Sequence, residues 1–183
     1  MFATFKARAE AVSAEVHRFA GRAEALEFIV GVMEKAGVSA APGAGAVWAD
    51  GPILANADKL GLAKRVPGLS FDVTKDRAAA ARVGVSQADW AIANTGTLAQ
   101  AVDEVEQRLV ATLTSVHVAV VPSARIVPDL GKLLAVLPPS KSNYVTFVTG
   151  PSRTADIERV LTIGVHGPER LVIVAIDDLQ ARN

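Results

Sequence analysis

The chain has 183 residues, half of them hydrophobic and 21% charged, with nineteen basic and nineteen acidic side chains that cancel. That length suits one well-buried domain over residues 1–183, and the balanced charge argues against a nucleic-acid or anionic-membrane partner. Cysteine is absent, which excludes a disulfide or a cysteine-ligated iron–sulfur cluster in this chain.

No basic region followed by an apolar core opens the chain, and no run approaches ~18 apolar residues, so a cytoplasmic protein without membrane insertion is predicted. Residues 2–11 mix Phe2, Phe5 and Ala9 with charges and fit a short N-terminal helical arm within residues 1–12. Residues 14–19 suit helix or strand, and Gly21 together with the better helix behind it favours a strand. That helix, Arg22 to Ala36, sets Ala25, Leu26, Ile29, Val32 and Met33 on one face and ends at Gly37. Gly43-Ala44-Gly45 opens a strand at 46–49 rather than following one, so it is not a dinucleotide fingerprint.

Residues 53–66 are expected to be helical over their middle, 69–73 a strand, and 76–83 a helix closed by Gly84. Strands at 90–93 and 98–102 flank Asn94-Thr95-Gly96-Thr97, and residues 103–108 read as a charged loop or helical turn. Val116 to Val121 is nearly all apolar, the pattern of a strand buried on both faces. A helix over 128–137 stops at Pro138-Pro139, a polar loop covers Lys141 to Asn143, and the last strand is 171–176. Short apolar strands alternating with helices predict an α/β fold: a three-layer, mainly parallel, doubly wound sheet with helices on both faces.

The stretch around Gly150 holds most of the chemistry. A β-rich run, Tyr144 to Thr149, reads as a buried strand and ends at Gly150-Pro151. Beyond it, Ala155 to Gly164 places Ile157, Val160, Leu161 and Ile163 at helical spacing, with Asp156 and Glu158 in the first turn. Ser152 and Thr154 either cap that helix or, with Gly150 and Arg153, grip an anion at its N-terminus. The second turn, Asn94-Thr95-Gly96-Thr97, should face the same edge if its strand runs parallel to 144–149. The alternative is structural, with Arg153 paired to Asp156 or Glu158. His166 and Gly167 follow the predicted helix, and a right-handed crossover would carry them to the opposite sheet edge from Ser152. They then serve structure, a second site or a contact between subunits. His117, inside an apolar strand, reads as a satisfied core histidine.

Gly150-Pro151-Ser152-Arg153-Thr154-Ala155-Asp156-Ile157-Glu158, then Gly164-Val165-His166-Gly167-Pro168, resembles the LutC/YkgG family of lactate-utilization proteins (LUD domain). So does Asp89 to Leu98, with Thr95-Gly96-Thr97 in the place of that family's Thr-Gly-Thr. The resemblance runs from about Gly84 to Asp177. It implies a fold like the sugar-phosphate isomerases and CoA transferases (NagB/RpiA/CoA transferase-like). It also implies a role in L-lactate oxidation beside iron–sulfur subunits (LutA- and LutB-like), which would hold the clusters. Asn94 departs from the acid that family members commonly carry there, and an amide cannot act as a general acid or base. Leu113-Thr114 likewise replaces the family's Leu-Pro step, whereas Arg108 stands where relatives often have arginine. The rival expectation is a stand-alone enzyme or sensor of a phosphorylated metabolite or CoA thioester.

Overall fold

The computed structural model describes residues 1–101, 103–137, 140, 142, 144–154 and 162–180. The chain opens with helix α1 (Phe2–Ala11), strand β1 (Ala14–Phe19), helix α2 (Arg22–Lys35) and strand β2 (Gly45–Trp48). A 3-10 turn at Pro52–Leu54 leads to α3 (Lys59–Arg65), β3 (Leu69–Ser70), α4 (Lys75–Ala79) and β4 (Ala81–Gln87). Next come β5 (Trp90–Ile92), β6 (Thr97–Ala101), α5 (Val105–Leu113), β7 (Val116–Pro122) and β8 (Ile126–Val127). The remainder is α6 (Leu130–Val136), β9 (Val145–Val148), β10 (Arg153–Thr154), β11 (Thr162–Ile163) and β12 (Arg170–Ile176). Side-chain caps start the short helices: Asp58 and Asp129 accept from the backbone N–H of Gly61 and Lys132 at 2.9 and 2.8 Å.

The predicted parallel α/β sheet is present. Six strands line up in the order β1-β12-β7-β4-β2-β3, and every neighbouring pair is parallel. β7, in the middle, is buried along its whole length, as its apolar run predicts. One face of the sheet presents Val83, Val85, Val118, Val120, Val172 and Val174 to Ile29 and Met33 of α2. The opposite face presents Ala119, Val121 and Ile173 to Phe5 and Ala9 of α1. On that same side Val110 of α5 and Ala78 of α4 pack with Val47 and Ala81. Helices therefore cover both faces. Each fully buried Val or Phe contributes on the order of 1.5–3 kcal/mol, so the core sits on the central strands.

Three expectations from the sequence need correction. The helix expected over 76–83 stops at Ala79, and Ala81–Gln87 is a central strand with Gly84 inside it. A Cβ at Gly84 would stand 2.5 Å from Thr114 Cγ2 and 2.8 Å from Val110 Cγ1, so this glycine admits α5 rather than ending a helix. Residues 53–66 form only the 3-10 turn and α3, and the strand expected over 69–73 shrinks to Leu69–Ser70.

The largest change concerns 144–149. β9 lies outside the parallel sheet, in a separate four-stranded sheet ordered β8-β5-β6-β9, and is only partly buried. β9 pairs antiparallel with β6, and β6 pairs antiparallel with β5. β5 and β9 therefore run the same way, which puts the turns after them on one edge. Of the helix expected over 155–164, residues 155–161 lie outside the described residues, as does Asp156. Its last part is no helix: Thr162–Ile163 is extended and pairs antiparallel with Arg153–Thr154.

Candidate functional site

The two turns singled out by sequence do meet. Leu98 lies opposite Val148 in the ladder, and just beyond them the Thr97 and Thr149 hydroxyls hydrogen-bond at 2.8 Å. Asn94 and Thr95 are exposed at the tip, with the Asn94 N–H donating to the Pro128 carbonyl at 3.1 Å, while Gly96 and Thr97 are buried.

What lies against the joined turns is the second half of α1. Gly96 has φ +69°, and a Cβ there would come within 2.3 Å of the Ala9 nitrogen. Gly150 also has φ +69°, and its Cβ would come within 2.3 Å of the Val12 carbonyl oxygen. Both glycines combine a left-handed backbone with a close approach of another chain segment, which no larger residue can satisfy. Arg153 joins the same junction. Its guanidinium donates to the Val12 carbonyl and, at 3.0 Å, to the Ser13 hydroxyl. A cation at the C-terminal end of a helix complements the carbonyls left unpaired there. Arg153 thus latches α1 across the fold, and the Asp156 or Glu158 partners considered for it lie outside the described residues. Arg153→Ala is expected to cost about 1 kcal/mol, since the pair is exposed. Urea unfolding and amide exchange at Val12 and Ser13 check this; unchanged exchange there would contradict the latch.

The expected separation of His166 from Ser152 does not occur. The chain doubles back instead, with β10 and β11 paired antiparallel. The Ser152 N–H donates to the Pro168 carbonyl at 2.7 Å, and the Gly164 N–H donates to the Ser152 carbonyl at 3.0 Å. A Cβ on Gly167 would lie 3.2 Å from Ser152 Cβ. Ser152, His166 and Gly167 consequently border one cleft of about 270 Å³, together with Thr146, Thr149, Gly150 and His117. Ser152 is no helix cap here, because Arg153 and Thr154 after it are extended. Arg108 stands apart, on α5, where it donates to the Asp103 carbonyl at 3.0 Å and covers the Tyr144 ring at 4.0 Å.

His117 is a buried lining residue of the cleft. It is 1% exposed and points from β7 toward the smaller sheet's side of the core. Its Nε2 lies 2.7 Å from the Ser86 hydroxyl, which in turn accepts from Gln100 Nε2 at 2.9 Å. Burial pushes the imidazole down to about 4, so the ring is neutral near pH 7. The other ring nitrogen, Nδ1, has no hydrogen-bond partner among the described residues. The reading of His117 as a satisfied core histidine is therefore half correct. Ser86 and Gln100 escaped the sequence reading. Gln100 stood as a polar residue inside an otherwise apolar predicted strand, and Ser86 was missed because no strand was expected over 81–87. Among the described residues no three His, Asp or Glu side chains gather as a metal site.

The model of the LUD domain matches residues 2–176. Lactate utilization protein C 1 of Bacillus mycoides is 38% identical over 107 residues, covering 55% of this chain and 46% of that protein. Lactate utilization protein C of Exiguobacterium sp. is 34% identical over 114 residues, covering 59% and 50%. That of Bacillus subtilis is 32% identical over 108 residues, covering 56% and 45%. The chain spans about half the length of these curated relatives. The crystal structure of a DUF162 family protein from Deinococcus radiodurans superposes with a TM-score of 0.66. It covers 96% of this chain and 95% of its own at 17% identity, a likeness of fold. Since the domain model takes in all but the first residue and the last seven, the chain belongs to the LUD domain family.

Proposed function

We propose that this chain is a component of an L-lactate oxidation system, acting beside iron–sulfur subunits and itself binding a small anionic ligand. The observation that carries this reading is the run of relatives called lactate utilization protein C, similar across 104 to 116 residues. Composition agrees with partner subunits: without cysteine in this chain, any thiolate-ligated cluster of such a system would sit on another chain. Support for the ligand comes from the cleft between the 149–152 turn and the 166–168 loop, beside the Thr97–Thr149 junction.

The test is co-purification. An affinity-tagged chain recovered from its own host grown on L-lactate should bring down subunits with the broad visible absorbance of iron–sulfur clusters. The same host lacking the chain should oxidise L-lactate poorly. Normal oxidation without it, and recovery of the chain alone, would together refute the reading.

A further inference from the structure

The orphaned nitrogen of His117 has a defined protonation state, and the geometry around it sets which one. Gln100 Nε2 makes two contacts, to the Ser86 hydroxyl at 2.9 Å and to the Gln87 carbonyl at 3.3 Å. A carbonyl only accepts, so the amide must turn its NH₂ end, not its oxygen, toward Gln87. The same NH₂ then donates to Ser86 Oγ. With that oxygen accepting, the Ser86 proton is free to point at His117 Nε2 at 2.7 Å. Nε2 is thereby the acceptor, and the single proton of a neutral ring sits on Nδ1.

Nδ1–H is a donor in a residue only 1% exposed, without an acceptor among the described residues. A buried donor left unmade costs about 1–3 kcal/mol, a reason to look for its acceptor in the space the His117 ring borders. That space is the cleft of about 270 Å³. Its walls carry the hydroxyl-bearing Thr146 and Ser152 and the apolar Val148, Pro168 and Leu171. Its volume lies just below the ~300–1,000 Å³ of sites for drug-sized ligands. Among the described residues no lysine or arginine lines it, and the other titratable group there is the exposed His166 at the rim. A dianion would be desolvated there without a counter-charge, whereas a monoanion with hydrogen-bonding oxygens is held more cheaply.

We propose that this cleft binds a small monocarboxylate, one of whose oxygens accepts the hydrogen bond from His117 Nδ1–H while Thr146 and Ser152 meet the rest of the molecule. The Gln100–Ser86 pair is a positioning device, since it dictates which ring nitrogen carries the proton. The proposal rests on the chain being a small-anion binder and names the residues that bind.

Histidine ring NMR on the full chain tests it, with L-lactate, propionate and inorganic phosphate as probes. His117 should be neutral with its proton on Nδ1, and both monocarboxylates should shift its ring signals saturably while phosphate does not. His117→Phe should weaken monocarboxylate binding roughly ten- to hundredfold, the range for a hydrogen bond to a charged group. Because a buried substitution can disturb folding, Ser152→Ala at the cleft wall is the second variant; it should weaken binding while leaving the His117 tautomer unchanged. A proton on Nε2, a water as the sole partner of Nδ1, ring signals indifferent to both acids, or phosphate binding as tightly would each overturn the proposal. These outcomes are independent of co-purification with iron–sulfur subunits, so the two readings fail separately.

Discussion

Gly96→Ala is expected to destabilise the protein by about 3 kcal/mol, although it adds one methyl group. Two costs add. At φ +69° an L-residue pays roughly 1–2 kcal/mol for the left-handed backbone. The new Cβ would also stand 2.3 Å from the Ala9 nitrogen and 2.6 Å from Ala9 Cα, and both are backbone atoms of a packed helix. Neither can rotate away as a flexible side chain would, so α1 must shift, and overpacking of this kind costs typically 1–3 kcal/mol. Phe5 and Ala9, both fully buried, move with it. Urea unfolding measures the loss. The control is Gly31→Ala in the middle of α2, where a Cβ meets nothing within 4 Å. There the substitution should stabilise by about 0.5–1 kcal/mol, because alanine loses less backbone entropy in a helix. Opposite signs for two Gly→Ala changes are the expected result. Equal small effects would mean that α1 is not docked on the 94–97 turn.

The second large effect is a loss of stability in acid traceable to His117. In the folded chain the ring is held down to about 4 by burial, against 6.5 in its ordinary setting. Between those values the unfolded state binds a proton that the folded state refuses. Stability from this group is therefore complete above about pH 6.5, falls as pH drops through the window, and is exhausted near pH 4. The gap corresponds to about 3 kcal/mol, at ~1.4 kcal/mol per pH unit. His117→Gln removes the titration. Its unfolding free energy should be lower than wild type at pH 7, and the difference should shrink as pH falls toward 4. Glu15, lowered by its hydrogen bond from Arg170, and His17, lowered by burial, titrate in both proteins and cancel in the comparison. Parallel pH profiles for wild type and variant would show that the ring is hydrated or charged in the fold.

Both effects depend on where chain segments meet, and that marks the limit of the sequence. Local pattern was sufficient for α1, α2, β1, β7 and β12, because each needs only an amphipathic or continuous apolar run with a turn behind it. It was sufficient, too, for the parallel α/β class, and for the Thr-Gly-Thr and Gly-Pro-Ser-Arg-Thr stretches that carry the family resemblance. It failed at β4. Ala-rich residues before Gly84 have high helix propensity, and only the packing of Thr114 and Val110 against that glycine makes a strand the better state.

Register and partner choice were beyond it altogether. An extended run such as 145–148 says nothing about which sheet receives it, so β9 was expected in the parallel sheet and lies instead beside β6. From that one placement follow the Thr97–Thr149 contact, the cleft, and the meeting of His166 with Ser152. Arg153 shows the same division. Its charge and its place beside Gly150 were legible, but Val12 and Ser13 stand some 140 residues away in the chain, and only folding brings them to it. The sequence by itself determined which side chains were available and which stretches would be strands or helices. The tertiary structure alone decided which polar atoms were left without partners, because burial and pairing are properties of neighbours distant in sequence.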